Sequence, residues 1–280
     1  MKGNLKMQID NGNLILLTGT IDCSVYNDVV IAISDCDERL TQYESAIERY
    51  IKLSSFDKIV FIENSGYKFN SAKYEEMALK HNKQFEFING DIHKKEINRC
   101  GRSWGDAFLI HEAIVKSKLL RNVSEFYKIT GRVFLKNSDE IIRKSKNIRN
   151  CFMMYPRSFC CGTFFFKVNK KDYLYCFDNS YMSCDEEKGV FIENVFCAKI
   201  MKYRKKIDCK RFGVYPIFDG KVGANLASYT PSGIKLFVSK TLFYLGMGNP
   251  NSVFCRLIID YYFKNKPIEI VNMVNTVCNE

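Results

Sequence analysis

The sequence KIVFIENSGY, residues 58–67, is a short apolar run that ends in a polar segment containing glycine. An apolar run of this length before a turn signal is typical of a buried strand. Residues 37–53 precede it, with apolar side chains at helical spacing behind an acidic first turn, and the helix-compatible residues 71–81 follow it. A buried strand between two helices indicates an α/β fold.

The same alternation continues in both directions from this stretch. Residues 14–19 (LILLTG), 85–88 (FEFI) and 125–130 (EFYKIT) predict further strands. A helix is expected to open at Ser103, with Asp106 as an approximate capping-box partner. We therefore predict a Rossmann-like α/β fold with a mostly parallel central sheet flanked by helices. Ligands of such sheets bind outside the carboxyl ends of the strands.

The second half of the chain has a less regular pattern. Residues 164–168 predict a strand, residues 173–177 are ambiguous, residues 191–200 predict a helix, and residues 213–229 are rich in loop-forming residues. The last part mixes aromatic residues with lysines and predicts one or two amphipathic helices, broken near residues 246–250.

No long polar linker divides the chain. We therefore expect a catalytic domain at residues 1–233 and a C-terminal amphipathic extension, residues 234–280, packed on it.

Composition excludes several classes of protein. Of the 280 residues, 46% are hydrophobic and 26% are charged, which is typical of a packed globular chain and not of disorder. No apolar stretch approaches the roughly 18 residues of a spanning helix, and the polar start does not resemble a signal peptide, so we expect a cytosolic protein. The twelve cysteines are scattered without a C-x-x-C pair, which favours reduced, mostly buried thiols.

The net charge of +11 indicates a polyanionic neighbour: nucleic acid, an anionic membrane surface or a phosphate-bearing substrate. Basic residues crowd residues 199–211. This basic stretch could be a solvated helix face with its following loop, or a surface that binds anionic lipid.

Polar, glycine-containing segments follow four predicted parts of the sheet. They are Thr18-Gly19-Thr20, Glu63-Asn64-Ser65-Gly66-Tyr67, Gly101-Arg102-Ser103-Trp104-Gly105 and Thr130-Gly131-Arg132. Glycine permits close approach of the backbone to a ligand, and a following helix offers free N–H groups to an anion. Together the four segments predict a nucleotide or phosphate ligand.

The phrases LLTGTI, R-x-x-Q-Y, IVFIENSGY, GRSWGDAFLIHEAI, YKITGR, FIENVF and YPIFDGKVG occur in this order between about residues 14 and 229. In order and spacing the chain resembles a family of bacterial glycosyltransferases that act in capsule, O-antigen and related lipopolysaccharide synthesis. The resemblance implies a GT-A fold, a nucleotide-sugar donor and a glycan acceptor.

The strand ends and the resemblance together predict the donor site. Its residues are Thr18, Gly19, Thr20, Arg39, Glu63, Asn64, Ser65, Arg102, Lys128, Gly131 and Lys221. The resemblance makes a UDP-hexose such as UDP-galactose, pyranose or furanose, the expected donor, and an oligosaccharide or lipid-linked glycan the expected acceptor. We expect inversion, and a peripheral location on the inner face of the cytoplasmic membrane.

The segment Lys128-Ile129-Thr130-Gly131-Arg132 lies where many GT-A enzymes carry an Asp-x-Asp motif, yet it contains no carboxylate. Mg²⁺ or Mn²⁺ would need carboxylates besides the substrate phosphates, so we assign no metal ligand. Positive charge from Arg132, Lys128, Arg102 and Lys221 could replace the ion. The literal Asp-x-Asp string, residues 35–37, precedes a helix and is interpreted as its N-cap.

A glycosyl transfer also needs a base for the acceptor hydroxyl. Glu193 stands near the start of an apolar helix and matches the family's downstream carboxylate, so it is predicted to be this base. Asp185 and Glu186 are predicted to bind the acceptor, although their acidic cluster could equally be a solvated loop. The three histidines have no ligand spacing to one another.

Two other hypotheses stay open at this point. The charge and the 14% aromatic content would also suit a non-catalytic nucleic-acid-binding protein, but no such motif is present and we expect no nucleic-acid partner. A degenerate transferase that only binds sugar nucleotides is the other alternative.

Overall fold

A computed structural model describes residues 12–26, 32–222 and 226–279 of the chain. The strands are β1 (Leu14–Gly19), β2 (Lys58–Glu63), β3 (Gln84–Asn89), β4 (Glu125–Thr130), β5 (Phe134–Leu135), β6 (Asn150–Cys151), β7 (Met154–Tyr155), β8 (Cys160–Cys161), β9 (Phe165–Asn169), β10 (Cys209–Lys210) and β11 (Phe218–Asp219). The helices are α1 (Cys36–Leu53), α2 (Ser71–Lys80), α3 (Lys94–Cys100), α4 (Arg102–Lys116), α5 (Lys118–Arg121), α6 (Ser138–Ser145), α7 (Lys170–Cys176), α8 (Ile192–Tyr203), α9 (Gly233–Tyr244), α10 (Val253–Phe263) and α11 (Ile268–Asn279).

Seven strands form the central sheet in the order β10-β6-β9-β4-β1-β2-β3. β1 pairs in parallel with β2 on one side and with β4 on the other. β9 runs antiparallel to both β4 and β6. The chain adds β2 and β3 on one side of β1 before β4 on the other, so the strand order reverses between β1 and β4. A mostly parallel sheet with flanking helices confirms the predicted fold class.

The sheet is buried on both faces, as expected where helices cover a parallel sheet. Every residue of β1 and β2 is buried. Alternate side chains enter two separate cores: Leu16 and Val60 pack with helices α4 and α8, whereas Ile15 and Phe61 pack with helices α1 and α2.

The strands and helices predicted between residues 14 and 130 are confirmed, with bounds shifted by one or two residues. The ambiguous residues 173–177 belong largely to helix α7, because the Asn169 side chain accepts hydrogen bonds from the first free N–H groups of that helix. Asp35 caps helix α1 by accepting from the Glu38 N–H at 2.7 Å. The N-cap interpretation of residues 35–37 is therefore confirmed.

The C-terminal part forms three helices, where the sequence predicted one or two. The Phe243 ring of α9 packs edge-on against Tyr215 at 5.3 Å between centroids, and α11 packs on α8. No helix in the described ranges is long and apolar enough to cross a membrane.

The cysteine prediction is also confirmed for the cysteines whose side chains are described. All eleven of these are free thiols, and eight of them are buried. Burial in the apolar core raises the pKa of several of them, including Cys161 and Cys197.

Candidate functional site

A cleft of about 250 Å³ opens where strands β1 and β4 end. This is the point at which the strand order reverses, and there the loops after neighbouring strands diverge and leave a crevice. Thr18, Gly19 and Thr20 follow β1 along its floor, and Thr130 and Arg132 lie beside them. Asn64 and Arg102 also line the cleft, so residues from all four predicted strand-end segments meet in one site.

At the floor of the cleft, positions 19 and 131 require glycine because there is no space for a Cβ atom. A Cβ on Gly19 would lie 2.6 Å from the Tyr43 ring, and a Cβ on Gly131 would lie 3.0 Å from both the Thr18 carbonyl oxygen and the same ring. Gly131 donates its N–H to the Thr18 carbonyl at 2.8 Å. The two strand ends thus meet over the face of Tyr43.

The Arg39 side chain donates hydrogen bonds to the turn that follows β1. Its Nε donates to the Thr20 carbonyl at 2.8 Å, and its NH1 donates to the Ile33 carbonyl at 3.0 Å. The side chain is buried and lines the cleft with this anchored guanidinium. Arg39 therefore positions the Thr20 backbone. Its guanidinium N–H groups donate mainly to backbone carbonyls of the protein and not into the cleft.

The predicted residues after β2 fall into two groups. Glu63 is fully buried beneath the loops and accepts from the backbone N–H groups of Ile21 at 2.8 Å and Ser65 at 2.9 Å. Ser65 is also buried and donates its hydroxyl to Glu63. Asn64 reaches the cleft, where its Oδ1 accepts from the Thr20 hydroxyl at 2.6 Å. Only Asn64 of these three is placed to touch a ligand.

Helix α4 starts at the edge of the cleft, and the Glu186 side chain binds its first turn. Gly101 precedes it at φ 87°, and a Cβ there would collide with Glu186. The Glu186 Oε1 accepts from the Ser103 N–H at 2.8 Å and from its hydroxyl at 2.7 Å. The predicted capping box of Ser103 with Asp106 is therefore wrong, since a carboxylate distant in sequence satisfies this end of the helix.

Arg102 and Asp106 stand one turn apart on α4, and both line the cleft. The Arg102 Nε lies 3.9 Å from the Glu186 Oε2, a loose ion pair on a half-exposed side chain. Asp106 is exposed.

Arg132 enters the cleft from the turn after β4. Its NH1 donates to the Gln42 Oε1 at 2.9 Å. Its Nε is buried and has no hydrogen-bond partner within the described ranges. A buried guanidinium N–H without an acceptor among the described residues is costly, so an acceptor atom brought by a ligand would stabilise it.

Glu193 lies across the cleft, in the first turn of α8. Its Oε1 accepts from the Thr163 hydroxyl at 3.1 Å. Burial raises the pKa of this carboxyl, and the negative charge of Asp106 adds to the effect against the opposing influence of Lys128. A carboxylate whose pKa is raised and which faces a cleft has the properties of a general base.

Lys128 lies beneath the cleft and does not line it. The side chain is fully buried in β4, and its Nζ donates to the Thr163 carbonyl at 3.0 Å. Burial lowers the pKa of this amine, while Asp106 and Glu193 oppose the shift. Thr163 thus joins the two charged groups, since its hydroxyl binds Glu193 and its carbonyl binds Lys128.

Besides Glu63, Ser65 and Lys128, two more predicted residues do not line the cleft. Lys221 is exposed and pairs with Ser228 in an isolated antiparallel bridge, although its neighbour Val222 lines the site. Asp185 caps the short turn Glu186–Lys188 and forms an ion pair with Lys188 at 2.6 Å. Of the predicted acceptor-binding pair, only Glu186 reaches the cleft.

Tyr26, Tyr43, Asp106 and Tyr229 are among the residues that line the site and that sequence reasoning did not assign. Tyr43 was visible in the R-x-x-Q-Y phrase, where its distance of four residues from Arg39 places both on one helix face. Tyr229 comes from the loop-rich segment, and burial raises its pKa to about 12. No local pattern distinguishes Tyr229 from the other aromatic residues.

One cluster away from the cleft has the side chains of a metal site. Ligand atoms of Asp91, His93 and Glu112 lie within 4.8 Å of one another. The Lys116 ammonium already lies 2.9 Å from Asp91 and 2.7 Å from Glu112, and its proximity lowers the pKa of Asp91. This ammonium supplies the positive charge that an ion would bring, so we interpret the cluster as an ion-pair network.

Comparison with known proteins adds little to this geometry. No family model matches the chain, and no curated protein matches it. Among solved structures, the chain is similar to core-mannan synthase A from Aspergillus fumigatus in its Mn/GDP form, with 9% identity and a TM-score of 0.35. The similarity covers 69% of this chain and 72% of the other. Membership of the bacterial surface-polysaccharide family stays a prediction.

Proposed function

We propose that the protein is a glycosyltransferase that binds a nucleotide-sugar donor in the cleft between the ends of β1 and β4. One observation carries the proposal: Arg132, whose buried Nε has no acceptor within the described ranges, and Glu193, whose pKa is raised, line the same cleft. A fixed cation can stabilise an anion that leaves, and a basic carboxylate can take the proton of a hydroxyl that attacks. The two groups in one cleft therefore suit a transfer reaction of this kind.

The cation side of the cleft would receive the diphosphate. As the bond between the anomeric carbon and the diphosphate breaks, negative charge grows on the leaving oxygen, and a preorganised cation stabilises it. Arg132 is placed for this role from the β4 turn, and Arg102 adds positive charge from the start of α4. Asn64 and the Thr18 to Thr20 backbone would contact the nucleotide.

The carboxylate side would activate the acceptor. The acceptor oxygen forms the new bond to the anomeric carbon, and its proton passes to Glu193. A single displacement of this kind inverts the anomeric configuration and needs one base. Asp106, exposed beside Glu193, is placed to bind acceptor hydroxyl groups, as is Glu186.

We propose further that this transfer does not use a metal held after β4. The residues there are Thr130, Gly131 and Arg132, which offer no carboxylate, and a guanidinium occupies the place of a cation. The resemblance supports UDP-galactose or a related UDP-hexose as donor and a surface glycan as acceptor, in a peripheral enzyme of the inner membrane face.

The proposal is tested by titration calorimetry with UDP, GDP and ADP beside a single-stranded oligonucleotide, followed by turnover assays with UDP-sugars. We expect one nucleoside diphosphate to bind at the wild-type cleft and to bind more weakly to an Arg132→Ala, Arg102→Ala double variant. Binding of the oligonucleotide alone would support the nucleic-acid alternative. Diphosphate binding without turnover of any UDP-sugar or other nucleotide sugar would favour a non-catalytic binder.

A further inference from the structure

Helices α9 and α10 expose an unusual amount of apolar side chain. Ile234, Phe237 and Leu245, on and just after α9, are 83%, 72% and 70% exposed, and Val253, Leu257 and Tyr261 on α10 are 61%, 62% and 67% exposed. We call the exposed apolar side chains of these two helices the C-terminal apolar surface. Monomeric soluble proteins seldom expose so many large apolar groups close together, and such surfaces mark interaction sites.

The two helices border the same turn, Pro156–Ser158. A cavity of about 330 Å³ lies between α9 and this turn, with Tyr155 and Leu242 among its lining residues. From α10, the Phe263 ring packs on Phe159 at 4.8 Å between centroids. Because both helices pack around one turn, their exposed faces are parts of one region of the protein.

The net positive charge of the C-terminal apolar surface indicates which kind of partner it would bind. Residues 233–266 contain five basic residues against a single acid, the exposed Asp260. Of the five, Lys235, Lys240, Lys264 and Lys266 are exposed or partly exposed, whereas the Nε of Arg256 is buried. We propose that the C-terminal apolar surface is a membrane-docking site at which α9 and α10 lie in the headgroup region of an anionic bilayer. Apolar side chains would enter the acyl boundary, while the basic residues would bind the acidic headgroups.

A second copy of this chain fits the same surface less well. A twofold interface sets a patch against the same patch of the other copy, so the exposed lysines of the two copies would be brought close together. The chain carries +11 overall, which adds to the repulsion. An anionic lipid surface instead neutralises these charges.

The basic stretch at residues 199–211 contributes less than the sequence suggested. Lys199 is buried, and its Nζ donates to the Asn179 side chain at 2.5 Å. Lys210 forms an ion pair with Asp208, and the Arg211 guanidinium packs over the Phe243 ring of α9 at 4.8 Å. The stretch does not form one exposed basic face, so the docking proposal rests on α9 and α10.

Co-sedimentation with vesicles tests the proposal on the full chain. We expect wild-type protein to bind phosphatidylcholine vesicles that contain phosphatidylglycerol, and salt to weaken this binding. The double variant Phe237→Ser, Leu257→Ser should bind at least about tenfold more weakly. Leu79→Ser is the matched control, because Leu79 is 71% exposed and lies on α2, outside this region.

A second pair of variants tests the charges without changing the apolar groups. Lys235→Glu with Lys264→Glu should lose the preference for anionic vesicles, whereas Lys95→Glu, an exposed change on α3, should keep it. Thermal melts of each variant would verify folding.

Equal binding to neutral and anionic vesicles would overturn the proposal. So would a wild-type dimer that ignores vesicles and dissociates in the Phe237→Ser, Leu257→Ser variant, because the surface would then be a subunit interface. None of these measurements requires sugar transfer, so the result is independent of the function proposed for the cleft.

Discussion

The Glu186 carboxylate binds both the backbone N–H and the hydroxyl of Ser103, and so occupies the amino-terminal end of helix α4. These groups and the nearby Arg102 form the kind of site that otherwise binds a phosphate. The protein therefore holds an internal anion at the edge of its cleft. A diphosphate entering the cleft must either displace this carboxylate or bind beside it against its charge.

Replacing Glu186 by Gln should strengthen the binding of nucleoside diphosphate. One negative charge leaves the cleft, and we expect the affinity to rise about 3- to 10-fold, as for a single partly screened charge. Titration calorimetry of UDP measures this change. Glu187→Gln, an exposed carboxylate in the same turn, is the control. Unchanged or weaker binding in Glu186→Gln would show that this carboxylate does not oppose the ligand.

Replacing Glu193 by Gln should abolish most of the transfer. The change keeps the size and the contact to Thr163 but removes basicity, so the rate of transfer should fall by at least about 10²-fold. The affinity for UDP should stay near wild type, since Glu193 lies on the acceptor side. Initial rates and titration calorimetry on the same preparations measure the two effects.

Asp106→Asn is the matched variant for this experiment, because Asp106 lies in the same cleft but is exposed. We expect a smaller loss of rate with a raised KM for the acceptor. If Asp106→Asn loses rate as severely as Glu193→Gln, or Glu193→Gln retains most of its activity, the base has been assigned to the wrong carboxylate.

Replacing Arg132 by Ala should lower kcat much more than the affinity for the donor. In the proposed mechanism its charge acts on the leaving diphosphate as the bond breaks, so we expect a loss of about 10²- to 10³-fold in kcat and less than about tenfold in donor affinity. Gln42→Ala, which removes only the contact that orients Arg132, should give a smaller loss.

Wild-type turnover in EDTA completes this test. We expect the rate to persist, because Arg132 occupies the place of a cation after β4. Complete loss in EDTA with recovery on addition of Mn²⁺ or Mg²⁺ would contradict the metal-free mechanism.

Replacing Lys128 by Met should shift the pH dependence of the reaction. The buried ammonium opposes the rise in the pKa of Glu193, so without it that pKa should rise further. A base works only above its pKa, and the acidic limb of the profile of kcat/KM should therefore move to higher pH. A purely structural role for Lys128 would lower the rate without moving the limb.

Replacing Glu63 by Ala should destabilise the fold and loosen the cleft. The N–H groups of Ile21 and Ser65 would lose a buried acceptor, and we expect a loss of about 2 to 4 kcal/mol in the free energy of unfolding. Denaturant titration measures it. Glu63→Gln retains one acceptor oxygen and should lose less. A change below about 1 kcal/mol in Glu63→Ala would mean that water replaces the carboxylate.

The sequence predicts the central sheet well because β1 and β2 are largely apolar runs that end in glycine or polar residues, and β4 (EFYKIT) is rich in aromatic and β-branched residues. Local pattern also identifies the N-cap Asp35. It cannot identify Glu186 as the partner of Ser103, because 83 residues separate them and only tertiary packing joins them.

For the individual site residues, too, local sequence pattern identifies some features and tertiary packing decides the others. Strand-end position points to Thr18, Asn64 and Arg132, and all three line the cleft. It could not separate them from Glu63, which follows the same rule but turns inward and accepts from the loop backbone. Side chains alternate between the two faces of a sheet along a strand, but this alternation does not continue into the turn that follows. The sequence therefore does not tell which side chains of that turn face the cleft.

The close meeting of Gly19 and Gly131 over Tyr43 also bears on how this cleft can vary. A side chain at either glycine meets the aromatic ring, and at position 131 it meets a backbone oxygen as well. A smaller residue at position 43 would still leave the Phe61 ring 2.9 Å from a Cβ at position 19, and it would remove the hydroxyl that accepts from the Thr20 N–H. In a library randomised at these three positions and selected for folding, residues 19 and 131 should therefore both stay glycine, whichever residue stands at position 43.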